Sequence, residues 1–327
     1  MKEFSLGLDI GGTKCAVILG RGEIPEKCDE TFIIDKIIFP TNQPRGWEAV
    51  MFDFFNSIDT ILNRNGISSD NLIGIGISCG GPLDSVEGVI KCPPNLPDWD
   101  EVPICSLLRK KYGVKVNLQN DANACAIAEW RFGAGRGYNN LIFLTFGTGM
   151  GAGLILNGRL YSGTNDMAGE VGHIRLEKNG PEGYGKSGSF EGFCSGGGLA
   201  RLAKALLSEH TKKGGKSSLS ELAKKSDGIT AKSVAMAARE GDELALKVYK
   251  ICGDKLGQGL AILIDILNPE AVIIGSIFER SGDLMIDSVK KTLRKEALSH
   301  SLECCKIIPA MLGDSIGDFA ALGVAFA

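Results

Sequence analysis

Two segments of this 327-residue chain share one pattern: an apolar strand, a glycine turn that contains threonine, and a returning apolar strand. The first segment covers residues 4–19 and turns at Asp9-Ile10-Gly11-Gly12-Thr13-Lys14. The second covers residues 141–156 and turns at Thr145-Phe146-Gly147-Thr148-Gly149. Glycine lets the backbone bend sharply and lets its N–H groups approach an anion closely. We therefore expect two similar halves that present both glycine turns to one ligand.

A carboxylate stands between the two turns, in the run Asn120-Asp121-Ala122-Asn123 that follows the strand-like residues 114–118. Helix capping by Asn120 or Asp121 would by itself explain an aspartate at this place. A carboxylate where a strand ends and a helix begins can also point into a cleft and accept a proton. Transfer of phosphate to a hydroxyl needs such a base within hydrogen-bond reach. The combination predicts a kinase that acts on a small alcohol, with Asp121 as the base.

Strand and helix signals alternate along the chain, which is typical of an α/β fold. Glycines at 74 and 76 interrupt one strand and indicate that another element packs closely there. Residues 163–198 are glycine-rich and too long for a simple connector, so we interpret them as a functional loop region. The other predictions are helices over 47–62, 122–130, 231–239, 242–266 and 316–326, and strands over 72–78 and 271–274.

Composition excludes several classes of protein. Hydrophobic residues make up 44% of the chain and charged residues 23%, which is ordinary for a globular protein with room for two domains. The net charge is -3 and no basic stripe is present, so we expect no nucleic-acid partner. No apolar run is long enough to span a membrane and no signal peptide precedes the first strand. The ten scattered cysteines include no C-x-x-C pair, which favours reduced thiols in the cytoplasm.

Neither glycine turn matches a standard nucleotide-binding signature. The first lacks the G-x-x-x-x-G-K-[ST] pattern, and the second is followed by a strand where a dinucleotide fingerprint requires a helix. In the first turn the glycines offer backbone N–H groups, Thr13 a hydroxyl and Lys14 a positive charge, while Asp9 could hold magnesium through water. A hairpin with a polar tip would explain either turn alone. Two such turns together favour a phosphate clamp.

Polar side chains within the predicted loop region suit a polyhydroxylated ligand. Glu170 and His173 lie three residues apart in Gly169-Glu170-Val171-Gly172-His173, and Glu191 follows in Ser189-Phe190-Glu191-Gly192. A surface glutamate and a structural histidine are the plain alternatives. Sugar hydroxyls need paired donors and acceptors, which carboxylate and imidazole groups supply.

Taken together, these motifs resemble the ROK family (repressors, open reading frames, kinases) of the actin-like ATPase superfamily. The resemblance covers essentially the whole chain. It implies a two-domain α/β fold of the ribonuclease H-like type with a cleft between the domains: residues 1–121 plus about 312–327 in the smaller domain, and 122–311 in the larger. The matching motifs lie at 9–14, 80–82 (G-G-P), 120–123, 145–151, 169–173 and 312–317 (L-G-D-S-I-G).

The resemblance also implies roles for individual residues. Asp121 would be the general base that deprotonates the sugar hydroxyl, and ATP with Mg²⁺ would supply the phosphate. The sugar would be held by Gly81, Asn95, Asn120, Glu170, His173 and Glu191. The phosphates of ATP would be held by Gly11, Gly12, Thr13, Lys14, Thr148 and Gly149, and the nucleoside side would be lined by Gly275 and the segment near Gly313, with Asp9 at the cofactor. The glycine-rich end usual for the adenosine strand reads Gly275-Ser276-Ile277 here, which leaves nucleotide preference open.

One departure from the family concerns zinc. Family members follow the histidine with C-x-C-G-x-x-G-C, and that histidine and three cysteines bind structural zinc. Here Glu182, Tyr184 and Ser189 replace the three cysteines. A single histidine without soft partners is a poor zinc ligand set. We therefore predict no structural zinc, and hypothesise that hydrogen bonding through Tyr184 or Glu182 orients His173.

The leading hypothesis is thus a glucokinase-like, ATP-dependent hexose kinase, with a homodimer as the family expectation. N-acetylmannosamine, N-acetylglucosamine, fructose and allose remain alternative substrates. A sugar sensor is the runner-up, although ROK repressors carry an N-terminal helix-turn-helix that this sequence does not show, and a sensor would be expected to lose Asp121. A chaperone-like ATPase is less favoured because no peptide-binding domain is recognisable.

Overall fold

We describe residues 2–25, 30–226 and 228–327 of a computed structural model. The strands are β1 Phe4–Ile10, β2 Lys14–Arg21, β3 Ile33–Pro40, β4 Leu72–Cys79, β5 Leu83–Asp84, β6 Val89–Ile90, β7 Val116–Asn120, β8 Leu141–Phe146, β9 Met150–Leu156, β10 Arg159–Leu160, β11 Glu182–Gly183, β12 Lys186–Ser187, β13 Ala271–Ile274 and β14 Lys306–Pro309. The helices are α1 Trp47–Arg64, α2 Ile104–Tyr112, α3 Asp121–Phe132, α4 Phe190–Phe193, α5 Gly196–Lys212, α6 Leu219–Leu222, α7 Ala231–Arg239, α8 Glu243–Leu267, α9 Ile277–Ser281, α10 Ile286–Glu296, α11 Ser299–Cys304 and α12 Ile316–Val324.

The chain forms two compact units. Unit 1 contains residues 1–139, 153–168 and 311–327, and unit 2 contains residues 140–152 and 169–310. Helix α3 belongs to unit 1 in this division, and strand β9 begins in unit 2 and ends in unit 1. The domain boundary that the sequence places after residue 121 stays a prediction.

A mixed five-stranded sheet in the order β3-β2-β1-β4-β7 forms the centre of unit 1. Strands β1, β4 and β7 are parallel, whereas β2 and β3 form an antiparallel extension. Helix α12 packs so closely on β4 that a Cβ at Gly76 would lie 2.2 Å from the carbonyl oxygen of Ala321. The close packing predicted from glycines 74 and 76 is therefore confirmed.

Unit 2 contains the parallel strands β13, β8 and β14, with β13 paired to both of the others. Its longest helix, α8, buries thirteen of its residues and packs against α5, α7 and α10. The predicted loop region at 163–198 contains the β11–β12 hairpin and helix α4, and its last residues begin α5. The prediction of a loop up to residue 198 is wrong for its last residues. Ser195 caps α5, and this cap allows a helix to begin at Gly196 despite the glycines.

Two further predictions concern the chain as a whole. Within residues 2–25, 30–226 and 228–327, no helix is long and apolar enough to cross a membrane. The nine cysteines of this described part are free thiols and six of them are buried, while Cys28 lies outside the described residues. Burial raises the pKa of Cys15 to about 11, which makes this thiol a poor nucleophile near neutral pH.

Candidate active site

Three of the predicted motifs meet at one edge of the unit 1 sheet. In the parallel register, Ile10 of β1 pairs with Cys79 of β4, and Cys79 pairs with Asn120 of β7. The chain therefore leaves these three strands side by side, and the carboxyl ends of parallel strands are where α/β folds bind ligands. The first glycine turn, the Gly80-Gly81 turn and Asn120-Asp121 follow directly from the three strand ends.

Asn120 and Asp121 have different roles at the start of α3. The Asn120 side chain caps α3, since its Oδ1 accepts a 2.8 Å hydrogen bond from the N–H of Asn123. Asp121 is the first helical residue, its Oδ1 accepts from the N–H of Ala122 at 2.8 Å, and it remains exposed. Because Asn120 supplies the cap, the capping explanation for Asp121 falls away and its carboxyl is accessible.

Two aspartates of unit 1 have raised pKa values. Desolvation by surrounding protein atoms raises the pKa of the Asp121 carboxyl, although part of the residue is exposed, and backbone N–H groups oppose the shift. Desolvation also raises the pKa of Asp9 to about 6; the charge of Asp318 adds to this shift, while Lys36 and Lys14 oppose it. A carboxylate with a raised pKa is a stronger proton acceptor, and a bound cation would stabilise its ionised form.

Backbone hydrogen bonds hold the first glycine turn in shape. The Gly11 N–H donates to the Lys14 carbonyl at 3.1 Å, closing the turn between β1 and β2. Thr41, which is buried, donates from its hydroxyl to the Gly11 carbonyl at 2.6 Å and from its N–H to the Thr13 carbonyl at 3.0 Å. The side chains of Thr13 and Lys14 are exposed, so the tip of the turn is accessible.

Gln43 connects the first glycine turn to the loop that carries Asn95. Its Nε2 donates to the Gly12 carbonyl at 2.7 Å and to the Asn95 carbonyl at 2.6 Å. A Cβ at Gly12 would lie 2.5 Å from the Asn95 carbonyl oxygen, and a Cβ at Gly80 would lie 2.9 Å from Asn95 Oδ1. Asn95 thus packs between two of the predicted motifs. Gly81 is exposed, and a Cβ there would lie 4.0 Å from that of Asn120.

In unit 2, Glu191 stabilises the second glycine turn. Its Oε2 accepts a 3.0 Å hydrogen bond from the N–H of Met150, and a Cβ at Gly149 would lie 3.0 Å from the same oxygen. The Thr145 hydroxyl accepts from the Gly151 N–H at 2.8 Å and closes the other side of the turn. Thr148, at the tip, is exposed.

The same turn lies beside the start of α5 and the end of β13. The Gly196 N–H donates to the Gly147 carbonyl at 2.8 Å, and the Ser195 side chain caps α5. Gly275, which is buried, directly follows β13, and the hydroxyl oxygen of Ser276 lies 3.7 Å from the place of a Cβ at Gly147. The residues predicted for the nucleotide in unit 2 are therefore neighbours.

Glu170 and His173 flank a tight turn that packs on the start of β9. A Cβ at Gly172 would lie 2.2 Å from the Met150 carbonyl oxygen and 3.3 Å from the Cβ of Glu191. Glu170 and His173 are exposed on either side of this contact. The two predicted sugar-binding residues are thus held close to Glu191 and the second glycine turn.

The described hydrogen bonds to His173 come from Lys186, not from Tyr184 or Glu182 as the sequence suggested. Lys186 Nζ lies 3.2 Å from Nδ1 of His173 and donates to the His173 carbonyl at 2.7 Å. Tyr184 contributes only an edge contact, with its ring centroid 6.1 Å from that of the imidazole. The hypothesis about Tyr184 and Glu182 is replaced by this finding.

The side chains at the three positions where family members carry cysteine do not fit a zinc ion. Tyr184 is 75% exposed, Glu182 is exposed, and the buried Ser189 hydroxyl caps α4 by accepting from the Gly192 N–H at 3.1 Å. A lysine ammonium next to the His173 Nδ1 competes with any cation there. The absence of structural zinc stays a prediction, which this donor set supports.

Each unit brings together its own part of the predicted site. Unit 1 assembles Asp9, Gly11, Gly12, Thr13, Lys14, Gly81, Asn95, Asn120 and Asp121. Unit 2 assembles Thr148, Gly149, Glu170, His173, Glu191 and Gly275. The sequence reading missed Gln43, Lys186 and the Ser195-Gly196 start of α5. Only the last has a local signal, a serine cap before an apolar periodic run.

Comparison with known proteins identifies the family of the chain. The ROK family model matches residues 5–326. A glucokinase from Halalkalibacterium halodurans is 33% identical over 316 residues, which cover 95% of this chain and 92% of the relative. The crystal structure of a ROK family glucokinase from Streptomyces griseus, in complex with glucose and AMPPNP, has a TM-score of 0.72 at 29% identity and 98% coverage of both chains. A xylose repressor from Caldicellulosiruptor bescii is 30% identical over 268 residues, covering 82% of this chain and 66% of the repressor.

The mixed α/β fold with two five-stranded sheets is that of the sugar kinases in the actin-like ATPase superfamily. Within that superfamily, the chain belongs to the ROK family. Both the family and the fold class that the motifs predicted are confirmed.

Proposed function

We propose that this protein is an ATP-dependent carbohydrate kinase that phosphorylates a hydroxyl of a hexose, with glucose as the leading substrate. The observation that carries the proposal is the accessible Asp121 carboxyl, whose pKa is raised, at the sheet edge it shares with the first glycine turn. The glucokinase relatives support a hexose substrate and ATP as the donor. N-acetylmannosamine, N-acetylglucosamine and fructose are the alternative substrates.

Asp121 is the general base of the proposed reaction. It accepts the proton of the attacking hydroxyl as the bond from that oxygen to the γ-phosphorus of ATP forms and the bond from the γ-phosphorus to the bridging oxygen breaks, with ADP as the leaving group. Its raised pKa strengthens it as a base, and its place at the first residue of α3 leaves the second carboxylate oxygen outside the bond to Ala122. Asn120 keeps the helix terminus, and so the carboxyl, in place through its cap to Asn123.

Carboxylate, amide and imidazole side chains and one glycine supply the sugar contacts of the proposal. Carboxylates accept from sugar hydroxyls, whereas amide and imidazole groups can donate or accept. Removing one such partner leaves a polar group unsatisfied, so these residues select the sugar as well as bind it. The proposed set is Gly81, Asn95, Asn120, Glu170, His173 and Glu191.

The two glycine turns hold the phosphates in the proposal. Gly11, Gly12, Thr13 and Lys14 would contact them from the first turn, and Thr148 and Gly149 from the second, with Gly275 on the nucleoside side. Bound ATP would supply the transferred phosphate, and Mg²⁺, when bound, would supply positive charge beside it. Asp9 fits a magnesium site, because burial and, second, the charge of Asp318 raise its pKa, and a bound cation would offset both effects.

A sugar sensor is the second candidate, and the similarity to xylose repressors is the observation that favours it. A sensor would bind sugar without turnover. The presence of Asp121 favours the kinase, because binding alone has no need of a base. We also propose a cytoplasmic location and a homodimer, as the free thiols of the described residues and the family suggest.

A coupled assay of ADP release over a panel of hexoses and N-acetylhexosamines tests the proposal. Wild type should turn over at least one sugar, and Asp121→Asn should lower kcat by at least about a hundredfold because general-base catalysis supplies a factor of that order. Asp70→Asn is the matched control, since it changes an exposed aspartate just before the opposite end of β4. Sugar binding without ADP release would favour the sensor, and an unaffected Asp121→Asn enzyme would refute the base.

A further inference from the structure

The β11–β12 hairpin places a lysine against the imidazole of His173. Glu182 pairs with Ser187 and Gly183 with Lys186, and the turn between them uses positive φ angles at Tyr184 and Gly185. This arrangement points the Lys186 ammonium at two acceptors of one residue, the carbonyl and Nδ1 of His173. Two contacts from one ammonium restrain both the backbone and the ring of His173.

The hairpin is anchored to the rest of the candidate site. A Cβ at Gly183 would lie 2.6 Å from the Gly192 nitrogen and 2.9 Å from the Cβ of Glu191. The hairpin therefore packs directly on α4, the helix that carries Glu191. Lys186, which is half-buried, reaches His173 from a fixed support, so the contact does not depend on a freely moving surface side chain.

The chemistry of the pair determines which nitrogen of His173 carries hydrogen. An ammonium group has donors and no acceptor. A hydrogen bond from Lys186 Nζ to Nδ1 therefore requires a lone pair on Nδ1, which places the hydrogen of the neutral ring on Nε2. In that tautomer, the ring offers a donor, Nε2–H, on the side away from Lys186.

We propose that Lys186 is a positioning residue for substrate binding: its ammonium holds His173 in the Nε2–H tautomer so that the imidazole donates to a substrate hydroxyl. In family members with the cysteine motif, a metal ion bound to this histidine would restrain the ring. In this chain the donor set does not fit zinc, and a lysine of the same loop provides the positive charge. The inference rests on the proposed function for its substrate, whereas the tautomer of His173 can be tested independently.

Two variants and one control separate this role from a general structural one. Lys186→Met removes the ammonium but keeps an apolar stem, and Lys186→Arg restores a donor. Lys178→Met changes an exposed lysine that precedes the hairpin. The chain has only three histidines, so His210→Gln and His300→Gln assign the imidazole signals in ¹⁵N-resolved NMR spectra of the full-length protein.

We expect the ¹⁵N shifts of wild type and Lys186→Arg to report Nε2–H at His173, and those of Lys186→Met to report a mixture of tautomers. The KM for sugar should rise roughly tenfold in Lys186→Met, as expected for one charge-assisted hydrogen bond, with KM for ATP unchanged and kcat little changed. Lys186→Arg should recover most of the loss, and Lys178→Met should match wild type.

Three results would overturn the inference: an Nδ1–H tautomer in wild type, an active Lys186→Met enzyme with unchanged spectrum and KM, or stoichiometric zinc bound at His173. A failure of the proposed function looks different. In that case the wild type releases no ADP with any sugar, while the NMR comparison still decides the role of Lys186.

Discussion

Oε2 of Glu191 accepts a 3.0 Å hydrogen bond from the backbone N–H of Met150, the residue directly after the second glycine turn. A residue proposed to hold the sugar thus also fixes the shape of a turn proposed to hold phosphate. Under the proposed function, occupation of one ligand site would affect the other through this carboxylate.

This relationship predicts a double effect of substituting Glu191. Glu191→Ala should raise KM for sugar and KM for ATP together, each by about tenfold or 1.4 kcal/mol. Glu191→Gln keeps an acceptor for Met150, so KM for ATP should stay near the wild-type value. Steady-state kinetics with each substrate varied checks this, with Glu182→Ala as the control on the adjacent hairpin. A rise in KM for sugar alone would contradict the coupling.

Removing the Gln43 side chain should destabilise the fold less than replacing its amide with a carboxylate. Gln43→Ala removes two hydrogen bonds and should lower the free energy of unfolding by about 1–2 kcal/mol. Gln43→Glu is nearly isosteric but places a carboxylate against the Gly12 and Asn95 carbonyl oxygens, so it should be more destabilising than Gln43→Ala. Urea unfolding of the three proteins gives the order, and a Gln43→Glu variant as stable as wild type would show that the contact is unimportant.

Activity should depend on the protonation of Asp121. The base acts only when ionised, so kcat/KM should fall as pH is lowered through its pKa. Desolvation raises that pKa, and the acidic limb should therefore lie at higher pH than for an ordinary aspartate. The residual activity of Asp121→Asn should lack this limb. An identical limb in the variant would assign the titration to another group.

Asp9 should destabilise the ligand-free protein at high pH. Its pKa is raised from 3.8 to about 6, so folding favours the protonated form. Its contribution to stability is complete below pH 3.8 and is lost as pH rises through 6. At pH 8 without divalent cations, Asp9→Asn should therefore be more stable than wild type by about 3 kcal/mol. Near pH 3.5 the difference should vanish; equal gains at both pH values would exclude this linkage.

Glu129 is expected to be essential for the stability of unit 1. It is fully buried, and its carboxylate accepts 2.9 Å hydrogen bonds from the N–H groups of Met311 and Leu312 and a 2.7 Å bond from that of Ala134. Glu129→Leu leaves three donors unsatisfied and should cost at least about 3 kcal/mol. Urea unfolding measures the loss, and the exposed Glu240→Leu should stay within about 0.5 kcal/mol of wild type.

Much of the fold could be predicted because its signals are local. Apolar residues at helical spacing located α1, and Asn65-Gly66 marked its end, as observed. The alternating glycines of β4 indicated the close approach of α12 without identifying it. The high glycine content predicts a loop up to residue 198, but Ser195 caps a helix that begins at Gly196. Local rules identify elements well when composition and spacing agree.

The sequence by itself determined the family, the α/β class and the motifs that end the strands, because glycine turns, caps and carboxylates are defined by neighbouring residues. Only the tertiary structure decided which side chains support those motifs. Gln43 reaches Asn95, Glu129 reaches Met311, and Lys186 reaches His173 through contacts that depend on how distant segments pack. The physical reason is that a hydrogen bond needs about 3 Å between its atoms, and no pattern along the chain encodes that distance.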